Sequence, residues 1–153
     1  MGQQQLLLVI LVTIIVGIAT VVAINTFGAA ADSANVDAVR QDVAQIAAAA
    51  QGYYMKPTML GGGGRSFAGI TFNNFAFPAA GINADGDVAQ NENGRYEITA
   101  AGADEFTITA HPASRDGYTP GTIDENTAVL SGGSGGSNPL TATIEPDRLD
   151  WGS

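Results

Sequence analysis

Cysteine is absent from the 153-residue chain, which excludes disulfides, thiolate nucleophiles and cysteine metal ligands. Cations are scarce: six Lys and Arg stand against fifteen Asp and Glu, for a formal net charge of −9 and an isoelectric point near 4.1. Such a distribution holds no basic patch, so sequence-independent nucleic-acid binding has no electrostatic footprint and docking on anionic lipid headgroups is disfavoured. Histidine occurs once, as His111 beside Pro112, with no nucleophile signature near it. Catalysis is therefore not expected, and neither is a cofactor or a small-molecule substrate. Proline is missing before Pro57, Lys and Arg before Arg40, and Glu before Glu92. The N-terminal third thus lacks the strongest helix breaker.

That proline-free stretch holds an unbroken apolar run, Leu6 to Ile24, LLLVILVTIIVGIATVVAI, with nothing more polar in it than Thr13 and Thr20. As a helix it measures about 28 Å, close to the hydrocarbon thickness of a bilayer. A cleaved secretory signal requires a positive n-region and a shorter apolar region. The run has neither, and it reads as a retained segment.

Helical patterning continues past the apolar run. Val36, Val39, Val43, Ile46, Ala47, Ala50 and Tyr54 recur at spacings of three and four, which lays them on one face. Asp37, Arg40, Gln41, Asp42 and Gln45 read as the opposite, solvated face. The helix is expected to reach about Met55 and to stop before Pro57 and the run Gly61 to Gly64. Asn25 to Ser33 is its weakest part.

After Pro57 there is room for one small domain. Strand-like runs occur at Ser66 to Phe75, Arg95 to Thr99, Glu105 to Ala110, Thr127 to Leu130 and Thr141 to Ile144, with turn signals at Asn93-Gly94 and Ala101-Gly102. The expected fold class is α+β: a long N-terminal helix, apolar in its first half and amphipathic in its second, packed on a small antiparallel sheet of three to five strands. The divisions are residues 1-28 as an apolar transmembrane or filament-core helix, 29-56 as its amphipathic continuation, and 57-153 as a β-rich head. Val39, Val43, Ile46 and Tyr54 are expected to meet Ile70, Phe72, Phe106 and Ile108 in the core. Trp151 beside Leu149 reads either as an apolar plug holding the C-terminal strands or as part of a frayed tail. Ser131 to Ser137, SGGSGGS, reads as a flexible linker or as an ordered surface loop.

Motifs that carry chemistry are weak. Asn83, Asp85 and Asp87 place oxygen ligands at alternate positions as calcium loops do, but Val88 stands where an EF-hand loop needs Gly, and no Glu ends the loop. A turn rich in Asp, Asn and Gly for backbone reasons is the better reading. Gly61 to Gly64 lacks the ending of a phosphate-binding loop and reads as the joint between helix and head.

An apolar helix followed by an amphipathic continuation and a small β-rich head resembles the type IV pilin family. Gly2 ahead of the run is similar to the glycine that ends the family's leader, which implies Gln3 as mature start. If Met1 is the start instead, Gln5 stands where the family carries glutamate. The helix-breaking proline near the end of the family's apolar run is missing. The resemblance implies a subunit that polymerises into an extracellular filament after residence in the cytoplasmic membrane, with copies of itself as partners. Leu6, Leu7, Val9, Ile10, Ile14, Gly17, Ile18 and Val21 would pack in the filament core. Gln5 would be a neutral substitute for the family glutamate. The other implied role is a membrane-anchored secretion component or an anchored extracytoplasmic binding domain.

Overall fold

The computed structural model describes residues 2–152. It divides into two compact units, Met1–Ala34 and Asn35–Ser153. Helix α1 spans Gly2–Met55, so the chain is α+β with its helix first.

In the first unit the apolar run is helical and turned outward on every side. Its large apolar residues, Leu6 to Ile24, expose between 48% and 69% of their surface. Thr13 and Thr20 bond back to carbonyls one turn earlier, at Val9, Ile10 and Val16, which hides their hydroxyls within the helix. The segment is long and apolar enough to cross a membrane. Gly17 and Gly28 interrupt neither the hydrogen bonding nor the helical assignment.

The second unit begins with the amphipathic stretch. Val39, Val43, Ile46, Ala47 and Ala50 are buried along one stripe. They pack on an antiparallel sheet of six strands: β1 (Gly81–Ile82), β2 (Val88–Gln90), β3 (Gly94–Ala101), β4 (Phe106–Pro112), β7 (Leu140–Ile144) and β8 (Leu149–Trp151), in the order β1-β2-β3-β4-β7-β8. A two-stranded ribbon, β5 (Thr122–Ile123) with β6 (Leu130–Ser131), interrupts the path from β4 to β7. Strand β4 alternates buried and half-buried residues over its whole length, and Phe106, Ile108 and Ala110 face the helix stripe. Ala142 and Ile144 of β7 and Tyr96 of β3 complete that face. A register shift between Ile98 and Ala100 bulges β3 against β4.

Two strand expectations need correction. Ser66 to Phe75 is not a strand. Phe67, Ile70 and Phe72 are buried, but turns separate them: Ile70 donates its backbone N–H to the Phe67 carbonyl, Gly69 has φ 73°, and Asn74 Oδ1 accepts from both the backbone and the hydroxyl of Thr71. Three side chains are inserted singly into the core, and aromatic contacts hold the two phenylalanines, Phe72 against Phe75 at 5.7 Å and Phe77 at 5.8 Å. Tyr54 meets Phe67 at 4.8 Å, Phe67 meets Phe106 at 5.1 Å, and Phe77 meets Tyr96 edge-on at 5.2 Å. Thr127 to Leu130 is mostly turn. Asp124 Oδ1 accepts from Asn126 and Thr127, Ala128 adopts φ 54°, Val129 makes a single parallel bridge to Ile82, and the strand proper starts at Leu130.

The sheet has more strands than the three to five expected, because β1, β2 and β8 are two or three residues long and too short to read from pattern. The C-terminus is held by pairing of β8 to β7 and by Gly152 donating to the Thr141 carbonyl at 2.8 Å. Leu149 packs against the core, and Trp151, paired with Ala142, stays 38% exposed. Residues 131–137 form an ordered loop: Ser134 and Thr119 exchange backbone hydrogen bonds, and Arg95 donates to the Gly132 carbonyl.

Candidate functional site

One charged side chain lies inside the apolar stripe. Asp42 is only 8% exposed, between Val39 and Ile46 on the buried face of α1. This corrects its placement on the solvated face: position 42 is three residues beyond Val39 and four before Ile46, which fixes it inward whatever its charge. A buried carboxylate is costly unless hydrogen-bonded, and here three donors converge on one oxygen. Asn91 Nδ2 and Asn93 Nδ2 each donate to Asp42 Oδ2 at 2.8 Å, and the Tyr96 hydroxyl donates at 2.6 Å.

Local sequence explains how the donors are aimed. Asn91 and Asn93 occupy the tight turn joining β2 to β3, where Asn91 Oδ1 accepts the backbone N–H groups of Asn93 and Gly94. With its oxygen so engaged, the Asn91 amide points its nitrogen at α1. A side chain at Gly94 would overlap the His111 carbonyl, so glycine is required by the close approach of β4. Tyr96 is fully buried in β3. Burial first, then the hydrogen bond to Asp42 and its charge, push the Tyr96 phenol far above its usual range, so it stays a donor. Two further polar anchors fix the helix. Asn35 donates to the Asn93 carbonyl at 3.0 Å and accepts from the Ser114 N–H at 3.2 Å, and Gln51 donates to the Glu145 carbonyl at 3.1 Å.

The second oxygen, Asp42 Oδ1, makes no hydrogen bond among the described residues. Asp42 lines an open cleft of about 490 Å³ together with Gln45, Pro78, Ala79, Ala80, Asn91, Glu92 and Asn93. Two carboxylates and three amides line it, and no cation does. The arrangement can accept a hydrogen bond or pair with a cation. No nucleophile or base partner lines the cleft, and no three His, Asp or Glu converge as metal ligands among the described residues.

The residues singled out from sequence are distributed over several places. Leu6, Leu7, Val9, Ile10, Ile14, Ile18 and Val21 lie on the exposed first half of α1 with Gly17, and Gln5, immediately before Leu6, is exposed too. Val39, Val43 and Ile46 are fully buried, and Tyr54 is half-buried against Phe67. Asn83 closes a turn with its own side chain: its amide donates to Asp87 Oδ1 at 2.6 Å, and its oxygen accepts from the Val88 N–H at 3.0 Å. Asp85 sits exposed at the tip. His111 on β4 keeps Nδ1 buried and without a hydrogen bond, against Gly135, where a side chain would overlap the ring. The cluster of Asp42, Asn91, Asn93 and Tyr96 was missed from sequence, although the helical spacing of Asp42 and the Asn91-Glu92-Asn93-Gly94 turn were both visible.

Comparison with known protein families, curated proteins and solved structures finds no match to any of them.

Proposed function

We propose that the chain is a structural subunit that polymerises through its N-terminal helix into an extracellular, type IV pilus-like filament, held in the cytoplasmic membrane before assembly. The supporting observation is the fully apolar, outward-facing surface from Leu6 to Ile24. Such a surface needs lipid or protein around it. Lipid satisfies it in the membrane, and equivalent helices satisfy it in a filament. Gly17, Ala19, Ala23, Gly28, Ala29, Ala30 and Ala31 let helices approach closely, as in packed apolar bundles. In this reading the partners are copies of the chain, the role is not enzymatic, and no cofactor is used.

A second reading keeps the helix as a single-pass anchor for an extracytoplasmic binding domain or secretion component. The helix alone meets the length requirement for that, and the acidic cleft supplies a binding surface. Shearing cells and imaging the released material separates the two, because only the first reading gives fibres made of this chain. The variant Ile14→Asp places a charge mid-run, at a cost of about 2.5 to 3.5 kcal/mol in an apolar surround. Assembly should be abolished while the second unit keeps its near-ultraviolet circular dichroism in detergent. Normal fibres from Ile14→Asp sink the proposal, and wild-type protein that stays in the membrane favours the anchor.

A further inference from the structure

The exposed large apolar residues of the second unit are few, and three of them lie together: Met55, Met59 and Leu60, the last two in a single 3-10 turn, Thr58–Leu60. Met59 is 95% exposed. Lys56, the only lysine, stands among them, and Arg65 follows the glycine run; both are exposed. Arg40, Arg95 and Arg148 are in ion pairs, whereas Lys56 makes none among the described residues. In a protein of net charge −9 this is a concentration of cation and apolar surface in one short segment.

The segment is built firmly. Gly61 to Gly64 fold back over the helix end: Gly63 donates to the Tyr53 carbonyl at 2.8 Å, Gly64 to Lys56 at 3.0 Å, and Arg65 to Tyr54 at 2.8 Å. These amides satisfy the Tyr53 and Tyr54 carbonyls at the end of α1 and that of Lys56 just beyond it. The knob is thus presented preorganised, which lowers the ordering cost of a contact.

Its counterpart is the Asp42 cleft. Asp42 is more than nine-tenths buried, with its three donors on Oδ2 and its Oδ1 open to the cleft; Glu92 stands exposed at the rim, and Pro78, Ala79 and Ala80 supply an apolar flank. We propose that this cleft receives the Lys56 ammonium of a second copy, with Met55, Met59 and Leu60 of that copy against Pro78, Ala79 and Ala80. Cation meets two carboxylates that make no ion pair among the described residues, and apolar surface meets apolar surface. Lys56 lies four helical turns beyond Asp42, about 20 Å along the axis. The two copies are therefore displaced by about that distance. Because the contact joins two different patches, it is head-to-tail and propagates instead of closing on itself as a two-fold pair does. This contact rests on the proposed polymerisation and adds to it a specific interface between heads.

The absence of cysteine makes the test direct. Lys56→Cys with Glu92→Cys changes only exposed positions and leaves Asp42 in place. Oxidised sheared filaments of the double variant should give a ladder of covalent multimers on a non-reducing gel, while each single variant gives none. Charge reversal is the second arm: Lys56→Glu should lower filament yield about tenfold, and Lys56→Glu with Glu92→Lys should restore it. Filaments without a ladder, or a Lys56→Glu variant that assembles like wild type, overturn the contact. If wild type forms no filaments, the polymer reading fails by itself, and the double cysteine variant is oxidised in membranes instead. A ladder there keeps the contact, and its absence there overturns it.

Discussion

An aspartate in an apolar helix stripe survives only where donors surround it, and Asp42 has three on a single oxygen. Each belongs to a residue that is itself fixed: two asparagines in a turn, and a tyrosine sealed in β3. The carboxylate therefore does more than avoid a penalty, since it ties the helix to the β2–β3 turn at a defined rotation. Removing one donor should show this. Tyr96→Phe keeps the ring and its edge-on contact with Phe77, and removes only the hydroxyl. It should cost about 1.5 to 3 kcal/mol at pH 7, the range for a hydrogen bond to a charged group. A second signature lies at alkaline pH. The native phenol holds its proton where the unfolded chain releases it, above pH about 10. The stabilisation is thus complete below that pH and falls as pH rises, because the unfolded state then binds fewer protons. Tyr118, also raised by burial although Arg95 opposes the shift, adds to the slope. Urea unfolding from pH 8 to 11 should show a shallower decline for Tyr96→Phe than for wild type; parallel curves refute this assignment. At Asp42 helical spacing and charge point in opposite directions. Its spacing put it inside the stripe and its charge suggested outside, and spacing decides because a helix cannot rotate one residue independently of its neighbours.

Elements were legible in proportion to their length. The end of α1 near Met55 follows from Pro57 and the glycine run, and β4 follows from strict alternation across Phe106, Thr107, Ile108 and Thr109. Strand β1 offers only Gly81 and Ile82 and is set by pairing with β2, which is long-range information absent from any local window. The stretch 66–75 misled for the opposite reason: its composition suits a strand, but Gly69 and the Asn74 side chain bend the backbone. Gly61 to Gly64 read as a joint, and it is also the cap of the helix. The glycines of this region have opposite needs. Gly52 lies within α1 with no heavy atom within 4 Å of an added Cβ, so Gly52→Ala should stabilise by about 0.5 to 1 kcal/mol through lower unfolded-state entropy. A Cβ at Gly62 would overlap the Lys56 carbonyl, and Gly62→Ala should destabilise by about 1 to 3 kcal/mol. Urea midpoints in detergent check both, and two shifts of the same sign would show that the turn is not held as described.

For the molecule as a whole, charge and apolar surface pull in different directions. Net charge −9 on a small chain makes copies repel, although at physiological ionic strength the repulsion decays over about 8 Å. Cohesion in the proposed filament must then come chiefly from the apolar helices, and the question is whether a charge pair at their N-terminal end is also needed. Gln5 is exposed on α1 and neutral. In an apolar surround a neutral amide can both donate and accept, and it avoids the desolvation that offsets most of the gain from a buried ion pair. Gln3 and Gln4 beside it offer the same capacity. Assembly without a pair should depend weakly on pH through this end of the helix. Introducing a carboxylate by Gln5→Glu should leave filament yield unchanged or lower it near neutral pH, and should add a pH dependence near 4 to 5, about where a glutamate titrates. Heads carry carboxylates as well, so the comparison is between variant and wild type at each pH, read as sedimented mass and checked by imaging for bundles. A large gain in yield for Gln5→Glu at neutral pH would show that a charge pair strengthens the core, and cohesion by packing and neutral hydrogen bonds would have to be abandoned.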